Sequence, residues 1–257
     1  MRRRLALTAA VVLLGAGEAR AAGPARPRFE PTDLELEKPG TTELDMQFGA
    51  LYGDGPGGLR LTFMDFELDL GLLPNVELDV DGAFSVNNAE TSAPQLFGES
   101  LWTSVKLGFV DRRNKAGTSA VSFGAQLGPR IATVGGYGAG YEAIALLGLF
   151  KNGLHVVLNG GAILDAGPSR GSPRPFSVVG GVDVDLDLDA KNTWSLLGEL
   201  ALGYFPTVYP NEFTVTAGFG FSPMKTLAFS LLVLGGFIPG ADRVGLLLGV
   251  APKTNLW

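Results

Sequence analysis

The chain has 257 residues, a formal net charge of −6 and no Cys. The acidic balance argues against nucleic acid as a partner, and the lack of Cys excludes disulfides, thiolate chemistry, thiol metal sites and a lipid-anchored Cys. Hydrophobic residues make up 46% of the chain, yet after residue 21 no uninterrupted apolar stretch is long enough for a membrane helix.

Residues 1–21 predict a cleaved secretory signal peptide. A basic stretch, Arg2–Arg4, precedes the apolar run Leu5–Leu14, which is too short to span a bilayer. Ala19 and Ala21 supply the small residues that a signal peptidase reads, so we expect cleavage after Ala21. A frayed N-terminal helix of the mature fold is the alternative. An exported, apolar and Gly-rich chain without membrane helices is typical of a transmembrane β-barrel.

Carboxylates alternate with apolar residues between Asp65 and Asp81, on both sides of a turn at Leu73-Pro74-Asn75. A strand sends alternate side chains to opposite faces, whereas a helix would spread them around its surface. The stretch therefore predicts a hairpin with one apolar face and one ionised face.

Alternating runs of about 9–11 residues, the length that a tilted strand needs to cross a bilayer, recur along the whole chain. We predict twelve strands, with ten or fourteen left open by the uncertainty of the boundaries. The predicted strands are Thr42–Tyr52, Leu59–Leu70, Val76–Phe84, Leu101–Phe109, Thr118–Ile131, Ala139–Leu149, Leu154–Leu164, Phe176–Leu188, Thr193–Tyr204, Phe213–Phe221, Thr226–Phe237 and Arg243–Ala251.

The connections between these strands alternate in kind. Compact turns follow every second strand, and Asn152-Gly153 is a strong signal for a tight hairpin. The longest connections, Ser85–Ser100 and Asp165–Pro175, fall on the other side. Bacterial outer-membrane barrels have short periplasmic turns and longer outer loops, and an even strand number returns both ends of the barrel to the periplasm.

One parity of the twelve strands is apolar and carries a single charge, Arg60, at a loop end. A Lys or Arg costs about 2–4 kcal/mol at the bilayer midplane and much less near the edge, so lipid permits this placement. Aromatic residues of this parity gather at the strand ends and flank an aliphatic band, with Phe48 and Phe123 as exceptions. We expect this face to meet lipid. The alternative is a soluble barrel with the apolar parity inward, but about eight strands already enclose a filled interior.

Two segments carry a family resemblance: Glu35–Leu44, and Phe66–Leu78 with its turn Leu73-Pro74-Asn75. They resemble the N-terminal half of outer-membrane proteins grouped as the phenol-degradation MetA-pathway family. The resemblance implies an exported β-barrel and a transporter for hydrophobic or aromatic compounds. It implies no catalytic residue. Trp257 is similar to the terminal aromatic by which such barrels are recognised for assembly, although Pro252 and Lys253 are expected to interrupt the last strand before it.

The opposite parity is expected to face the lumen, with its acidic residues in the periplasmic half of the barrel. The predicted acidic zone comprises Glu43, Asp45, Asp65, Glu67, Asp69, Glu77, Asp79, Asp81, Asp183, Asp185, Asp187 and Glu199. The basic lumenal residues are Lys106, Arg130 and Arg243, and an apolar wall is formed by Leu232, Leu234 and Leu247.

These lumenal residues have several possible interpretations. The acidic zone either favours cations at a constriction or only keeps water and a hydrogen-bonded network inside the barrel. Leu232, Leu234 and Leu247 either let an amphipathic or aromatic solute slide past or pack against a plug or the segment Ala22–Lys38. A Ca²⁺ site on Asp183-Asp185-Asp187 is the weaker alternative, because a flat strand lacks the curved loop that gathers six to eight oxygen ligands.

The sequence offers little support for the hypothesis that the protein is an enzyme. The single His, His155, lies near a predicted turn, and no Ser stands in a G-x-S-x-G context. Gly136–Gly140 has no strand-to-helix context for a nucleotide loop. We therefore predict no enzymatic activity, no cofactor and no bound metal.

The sequence thus predicts an all-β protein, a transmembrane antiparallel up-and-down β-barrel of about twelve strands over residues 39–257. A periplasmic N-terminal segment, residues 22–38, precedes it. We expect an outer-membrane channel for small solutes, partnered by outer-membrane lipid and, through the last strand and Trp257, by the barrel-assembly machinery. The alternative is a closed structural or adhesive barrel that acts through its extracellular loops.

Overall fold

The computed structural model describes residues 34, 36–53, 59–87, 95–96, 100–132, 137–164, 167–168, 176–206, 211–238 and 242–257. The predicted signal peptide and most of the predicted periplasmic segment lie outside these residues. Among the described residues, no helix is long and apolar enough to cross a membrane.

A closed antiparallel barrel of twelve strands forms the described part of the chain, as the alternating pattern predicts. Each strand pairs with its neighbours in sequence, and the last strand pairs with the first. The strands are β1 Thr41–Tyr52, β2 Leu59–Leu73, β3 Val76–Asn87, β4 Ser100–Arg113, β5 Ser119–Ala132, β6 Gly140–Lys151, β7 Leu154–Leu164, β8 Phe176–Asp187, β9 Trp194–Tyr204, β10 Glu212–Met224, β11 Leu227–Gly236 and β12 Val244–Asn255.

Tight turns join every second pair of strands, and three two-residue strands lie in the other connections, where they form two additional pairings. At the turn between β6 and β7, Asn152 and Gly153 both have positive φ, the geometry of a two-residue hairpin. Gln95–Leu96 pairs with β3, and Tyr137–Gly138 pairs with Gly167–Pro168. The sequence pattern predicts only loops at these three places.

The prediction for the end of the barrel was wrong, because β12 continues through Pro252 and Lys253 to Asn255. Pro252 stands opposite Leu227 and lacks only its own N–H, while the Lys253 N–H donates to the Thr226 carbonyl oxygen at 3.0 Å. Beyond the strand, the Leu256 N–H donates to the Gly40 carbonyl oxygen at 2.6 Å. The ladder therefore survives the proline, and the chain end stays attached to the start of β1.

Burial alternates along the strands and confirms the predicted assignment of the two faces. In β6, Glu142, Ile144 and Leu146 are buried, whereas Tyr141 and Leu149 are exposed. The exposed parity carries aromatic rings at its strand ends, where Trp194 and Phe221 contact each other at 4.4 Å between ring centroids. The predicted positions Arg60 and Phe84 belong to the residues whose side chains the structure does not describe. The outer surface is thus apolar, and the interior holds the polar residues.

Candidate functional site: the barrel interior

A buried lysine on β4 lies close to three carboxylates from β2 and β3. Lys106 Nζ lies 2.9 Å from Glu77 Oε1, 3.7 Å from Asp79 Oδ2 and 3.8 Å from Asp69 Oδ1. The lysine is 3% exposed and Glu77 only 1%. Glu77 and Lys106 are direct register partners on β3 and β4, so pairing of the two strands brings the charges together. One ammonium thus faces three carboxylates inside the barrel.

A chain of hydrogen bonds extends this cluster across the inner wall. The amide of Gln126 on β5 donates to Ser104 Oγ at 2.9 Å and to Glu142 Oε1 at 3.3 Å. Arg130 Nε donates to Glu142 Oε2 at 3.4 Å, and its guanidinium carbon lies 3.1 Å from the centroid of the Trp102 ring. Arg130 therefore has an interior carboxylate and an aromatic partner, and the network links β3 to β6.

A second lysine connects the two closing strands and the segment that precedes them. Lys253 Nζ on β12 lies 2.7 Å from Glu43 Oε2 on β1 and also pairs with Glu37 Oε1. The Glu37 N–H donates to Glu77 Oε2, which joins this triad to the Lys106 cluster. Burial raises the pKa of Glu37 to about 7, with Lys253 opposing the shift.

The described part of the N-terminal segment lies inside the barrel. Leu34 packs against Ile144, Leu146 and Val157 on the inner wall, and a Cβ on Gly108 would be 2.7 Å from Leu36 Cδ1. Glycine on the inner wall thus leaves room for the leucine side chains of the segment.

The backbone of the segment also approaches the wall closely. A Cβ on Gly71 would lie 2.1 Å from the Lys38 carbonyl oxygen, and the Gly40 N–H donates to the Gly71 carbonyl oxygen at 2.8 Å. The described part of the segment therefore occupies interior space beside the wall of β2 to β6.

The opposite wall, from β7 to β11, borders a cavity that is partly open to the lumen. Carboxylates and apolar side chains both face it: the lining residues are His155, Val157, Asp183, Val184, Asp185, Leu197, Gly198, Glu199, Thr216 and Leu232. The described interior is thus asymmetric: the N-terminal segment lies against the wall of β2 to β6, here called the filled half, and a cavity borders the wall of β7 to β11, here called the free half.

The predicted apolar wall forms one cluster in the interior. Leu232, Leu234 and Leu247 are buried together with Leu51, and Leu197 packs against them. These leucines pack against each other, while Leu34 of the N-terminal segment packs against a different part of the wall. Leu51 was missed, although its parity on β1 was the signal that could have identified it.

The predicted acidic zone divides between the two walls of the interior. The buried members are Glu43, Asp45, Asp69, Glu77, Asp79, Asp81, Asp185 and Glu199, and the half-buried ones are Asp65, Glu67, Asp183 and Asp187. Of the predicted basic residues, Lys106 and Arg130 lie in the network, whereas Arg243 is exposed and precedes β12. Arg243 lies at the loop end of the barrel, where its N–H donates to the Tyr52 carbonyl oxygen at 2.6 Å.

The sequence analysis also missed Glu37, Gln126, Glu142 and Lys253 as members of the interior network. Glu142 has the inward parity of β6, which was a usable signal. Glu37 precedes the first strand, so no strand periodicity applies to it.

Two groups of three carboxylates, in the part of the chain that the structure describes, bring their oxygens within 4.8 Å of one another. They are Asp69 with Glu77 and Asp79, which Lys106 neutralises in part, and Asp45 with Glu67 and Asp69. The ladder Asp183-Asp185-Asp187 is not such a group among these residues.

Two solved structures that share this architecture are an outer-membrane channel and a porin. The COG4313 outer membrane channel from Pseudomonas putida F1 matches with a TM-score of 0.58 at 12% identity, over 88% of this chain and 100% of that chain. The NanC porin matches with a TM-score of 0.52 at 8% identity, over 82% of this chain and 98% of that chain. No protein-family model and no curated protein matches the sequence, so the resemblance to the phenol-degradation MetA-pathway family stays a prediction. At such low identity the likeness establishes the fold: a closed antiparallel barrel of the kind found in outer-membrane channels.

Proposed function

We propose that the protein is an outer-membrane channel through which small solutes diffuse passively, without covalent catalysis. The observation that carries the proposal is the asymmetry of the interior, where the wall of β7 to β11 borders free space. The exposed aliphatic and aromatic outer surface supports a position in lipid, with the compact turns on the periplasmic side. Export by a cleaved signal peptide and assembly through Trp257 belong to the same proposal.

We further propose that the path favours cations and admits solutes with an apolar part. Carboxylates outnumber the described interior cations, and charged rings set the selectivity of pores. The leucine cluster around Leu232 gives the free half an apolar surface. The resemblance to a family of transporters for hydrophobic or aromatic compounds agrees with this second feature.

A closed barrel that acts through its outer loops is the second candidate. The observation in its favour is the filled half of the interior, where Asp79 is completely buried and the N-terminal segment packs against the wall. The two candidates differ in one measurable property, which is ionic current.

Single-channel recording of the full chain in planar bilayers tests the proposal. We expect stable unit currents and a reversal potential that shows cation preference in a KCl gradient. Leu232→Trp should lower the unit current, because Leu232 faces the cavity, whereas Leu231→Trp alters the outward neighbour on the same strand. Silence of the wild-type protein would favour the closed barrel, and anion preference would contradict the acidic path.

A further inference from the structure

Two carboxylates and a hydroxyl stand side by side across three strands at the cavity. Asp183 on β8 is the register partner of Glu199 on β9, and Glu199 is the partner of Thr216 on β10. Directly opposed side chains on neighbouring strands have Cβ atoms about 4.5–5.5 Å apart, and like charges at that spacing repel each other. The wall thus concentrates negative charge at one height of the cavity.

Two of the three side chains in this row, Glu199 and Thr216, are buried and each has an oxygen atom without a hydrogen-bond partner among the described residues. Glu199 is 8% exposed and Thr216 is 3% exposed. Within the described residues, Glu199 Oε2 and Thr216 Oγ1 have no hydrogen-bond partner. Burial of a carboxylate without compensation is costly, so the row is incomplete as it stands.

The buried lysines and the buried arginine described above pair with other carboxylates. Lys106 lies among the carboxylates of β2 and β3, Arg130 pairs with Glu142, and Lys253 pairs with Glu43. Asp183 accepts a hydrogen bond from Asn159 Nδ2 at 3.1 Å, which is a neutral donor. A positively charged group with donor hydrogens would supply the hydrogen bond that Glu199 Oε2 lacks within the described residues.

An apolar row adjoins the acidic one. Two residues along the strands, about 6–7 Å away, Leu197 on β9 and Leu232 on β11 border the same cavity. Gly218, between them in register, adds no side chain to this row. A hydrated metal ion would gain nothing from leucines, and Ca²⁺ requires six to eight oxygen ligands. A compact organic cation would place its charged group against the acidic row and its apolar part against the leucines.

We infer that this cavity is a binding site for small alkylammonium ions. The ammonium group donates to Glu199, Asp183 and Thr216, and the alkyl part lies against Leu197 and Leu232. The inference deepens the proposed channel function and rests on solutes reaching the interior, since it assigns the solute class that the lumen holds on the way through.

Calorimetric titration of the full-length protein in detergent tests the site with n-butylammonium chloride as the probe. Butan-1-ol, which has nearly the same shape without the charge, and sodium and calcium chloride serve as comparison ligands. We expect saturable binding of n-butylammonium only. Glu199→Gln should weaken it by about tenfold or more, and Thr216→Val by a few fold, because a hydrogen bond to a charged group is lost.

Glu212→Gln is the matched control, since Glu212 lies exposed at the start of β10. It should bind n-butylammonium like the wild type, and heat modifiability on gels should show that all three variants form the barrel. Equal binding by Glu199→Gln and the wild type would overturn the inference. So would a preference for sodium or calcium, or the absence of any cation binding.

The binding measurement and the current measurement separate the two claims. Binding of n-butylammonium without unit currents would uphold this site and contradict the channel. Unit currents without such binding would uphold the channel and contradict the site.

Discussion

The ammonium nitrogen of Lys253, on the last strand of the barrel, lies 2.7 Å from a carboxylate oxygen of Glu43, on the first strand. The two residues are also register partners, so the ion pair sits on the seam that closes the barrel. Both side chains are largely shielded from solvent, which makes this contact different from a surface salt bridge.

Removal of the lysine charge at the seam should destabilise the barrel. Lys253→Met leaves the Glu43 carboxylate buried without its cation, a change that costs about 3–5 kcal/mol in buried pairs. Urea unfolding in detergent micelles measures the loss. The double variant Glu43→Gln with Lys253→Met should be more stable than the single lysine variant. Lys151→Met, at the exposed end of β6, is the control, and an equal loss there would contradict the prediction.

Removal of the Lys106 charge should destabilise the barrel at least as much as removal of the Lys253 charge, because Lys106 faces three carboxylates. Lys106→Met is expected to lower the free energy of unfolding by about 3–5 kcal/mol, and a second change, Glu77→Gln, should restore part of it. The same urea titration measures both variants. The exposed Lys115→Met should stay within about 0.5 kcal/mol of the wild type. A Lys106→Met barrel as stable as the wild type would show that its carboxylates do not need the cation.

The N-terminal segment should leave the interior when one of its two buried leucines is replaced by a polar residue. Leu36→Asn loses apolar packing and buries an amide, at a cost of about 2–5 kcal/mol of docking free energy. The chain has no Cys, so a spin label on Lys38→Cys reports the mobility of the segment. The label should become more mobile in the Leu36→Asn variant and stay unchanged in Leu188→Asn, which alters an exposed leucine. Unchanged mobility in both would contradict the docking.

Docking of this segment should weaken as the pH rises. The pKa of Glu37 is about 7 in the docked state, against 4.5 for a free carboxyl group, chiefly because burial disfavours the charged form. The docked state therefore holds more protons between pH 4.5 and 7, and its stability decreases across this window. The same spin label should grow more mobile as the pH rises through 7.

Several charged groups face Glu37: Lys253 lowers its pKa, whereas Glu43 and Glu77 raise it. Glu37→Gln keeps the shape of the side chain and removes its titration. Its label mobility should stay flat between pH 5 and 8, and a dependence equal to that of the wild type would assign the effect to another group.

The outer surface offers a direct test of contact with lipid. Leu231 is exposed near the middle of β11, so Leu231→Arg should cost about 2–4 kcal/mol in a bilayer. Met224→Arg, at the turn end of β10, should cost about 1 kcal/mol or less, since the penalty falls near the membrane edge. Folding yields into lipid vesicles measure the difference. Equal yields would contradict the placement of the bilayer around this face.

Strand alternation accounts for how much of the fold could be predicted. The carboxylates from Asp65 to Asp81 identify a two-faced hairpin because alternate side chains must point to opposite faces of a strand. The same local rule, repeated along the chain, predicts twelve strands and assigns Glu77, Asp183 and Glu199 to the interior. Strand alternation depends only on residues that are adjacent in the sequence, so it can be recognised without the structure.

Register and long-range packing could not be predicted in the same way. Only strand pairing places Glu77 opposite Lys106 and Asp183 opposite Glu199, because no local pattern records how far one strand is shifted against the next. The close packing around Gly218 could not be predicted from local sequence either. A Cβ at this position would be 2.0 Å from the Leu231 carbonyl oxygen on the neighbouring strand. A bulky residue at Gly218 would therefore disturb the wall.

Residue type and alternation are thus enough to predict the twelve main strands, their two faces and the acidic residues of the interior. Which of these carboxylates lies beside a cation depends on how the strands pair and pack. Lys106 pairs with Glu77 on one wall, and Lys253 pairs with Glu43 where the barrel closes. Glu37 is buried inside the barrel although it belongs to a segment without strand periodicity. The physical reason is that an ion pair depends on distance in space, and residues far apart in the chain meet only when the barrel closes.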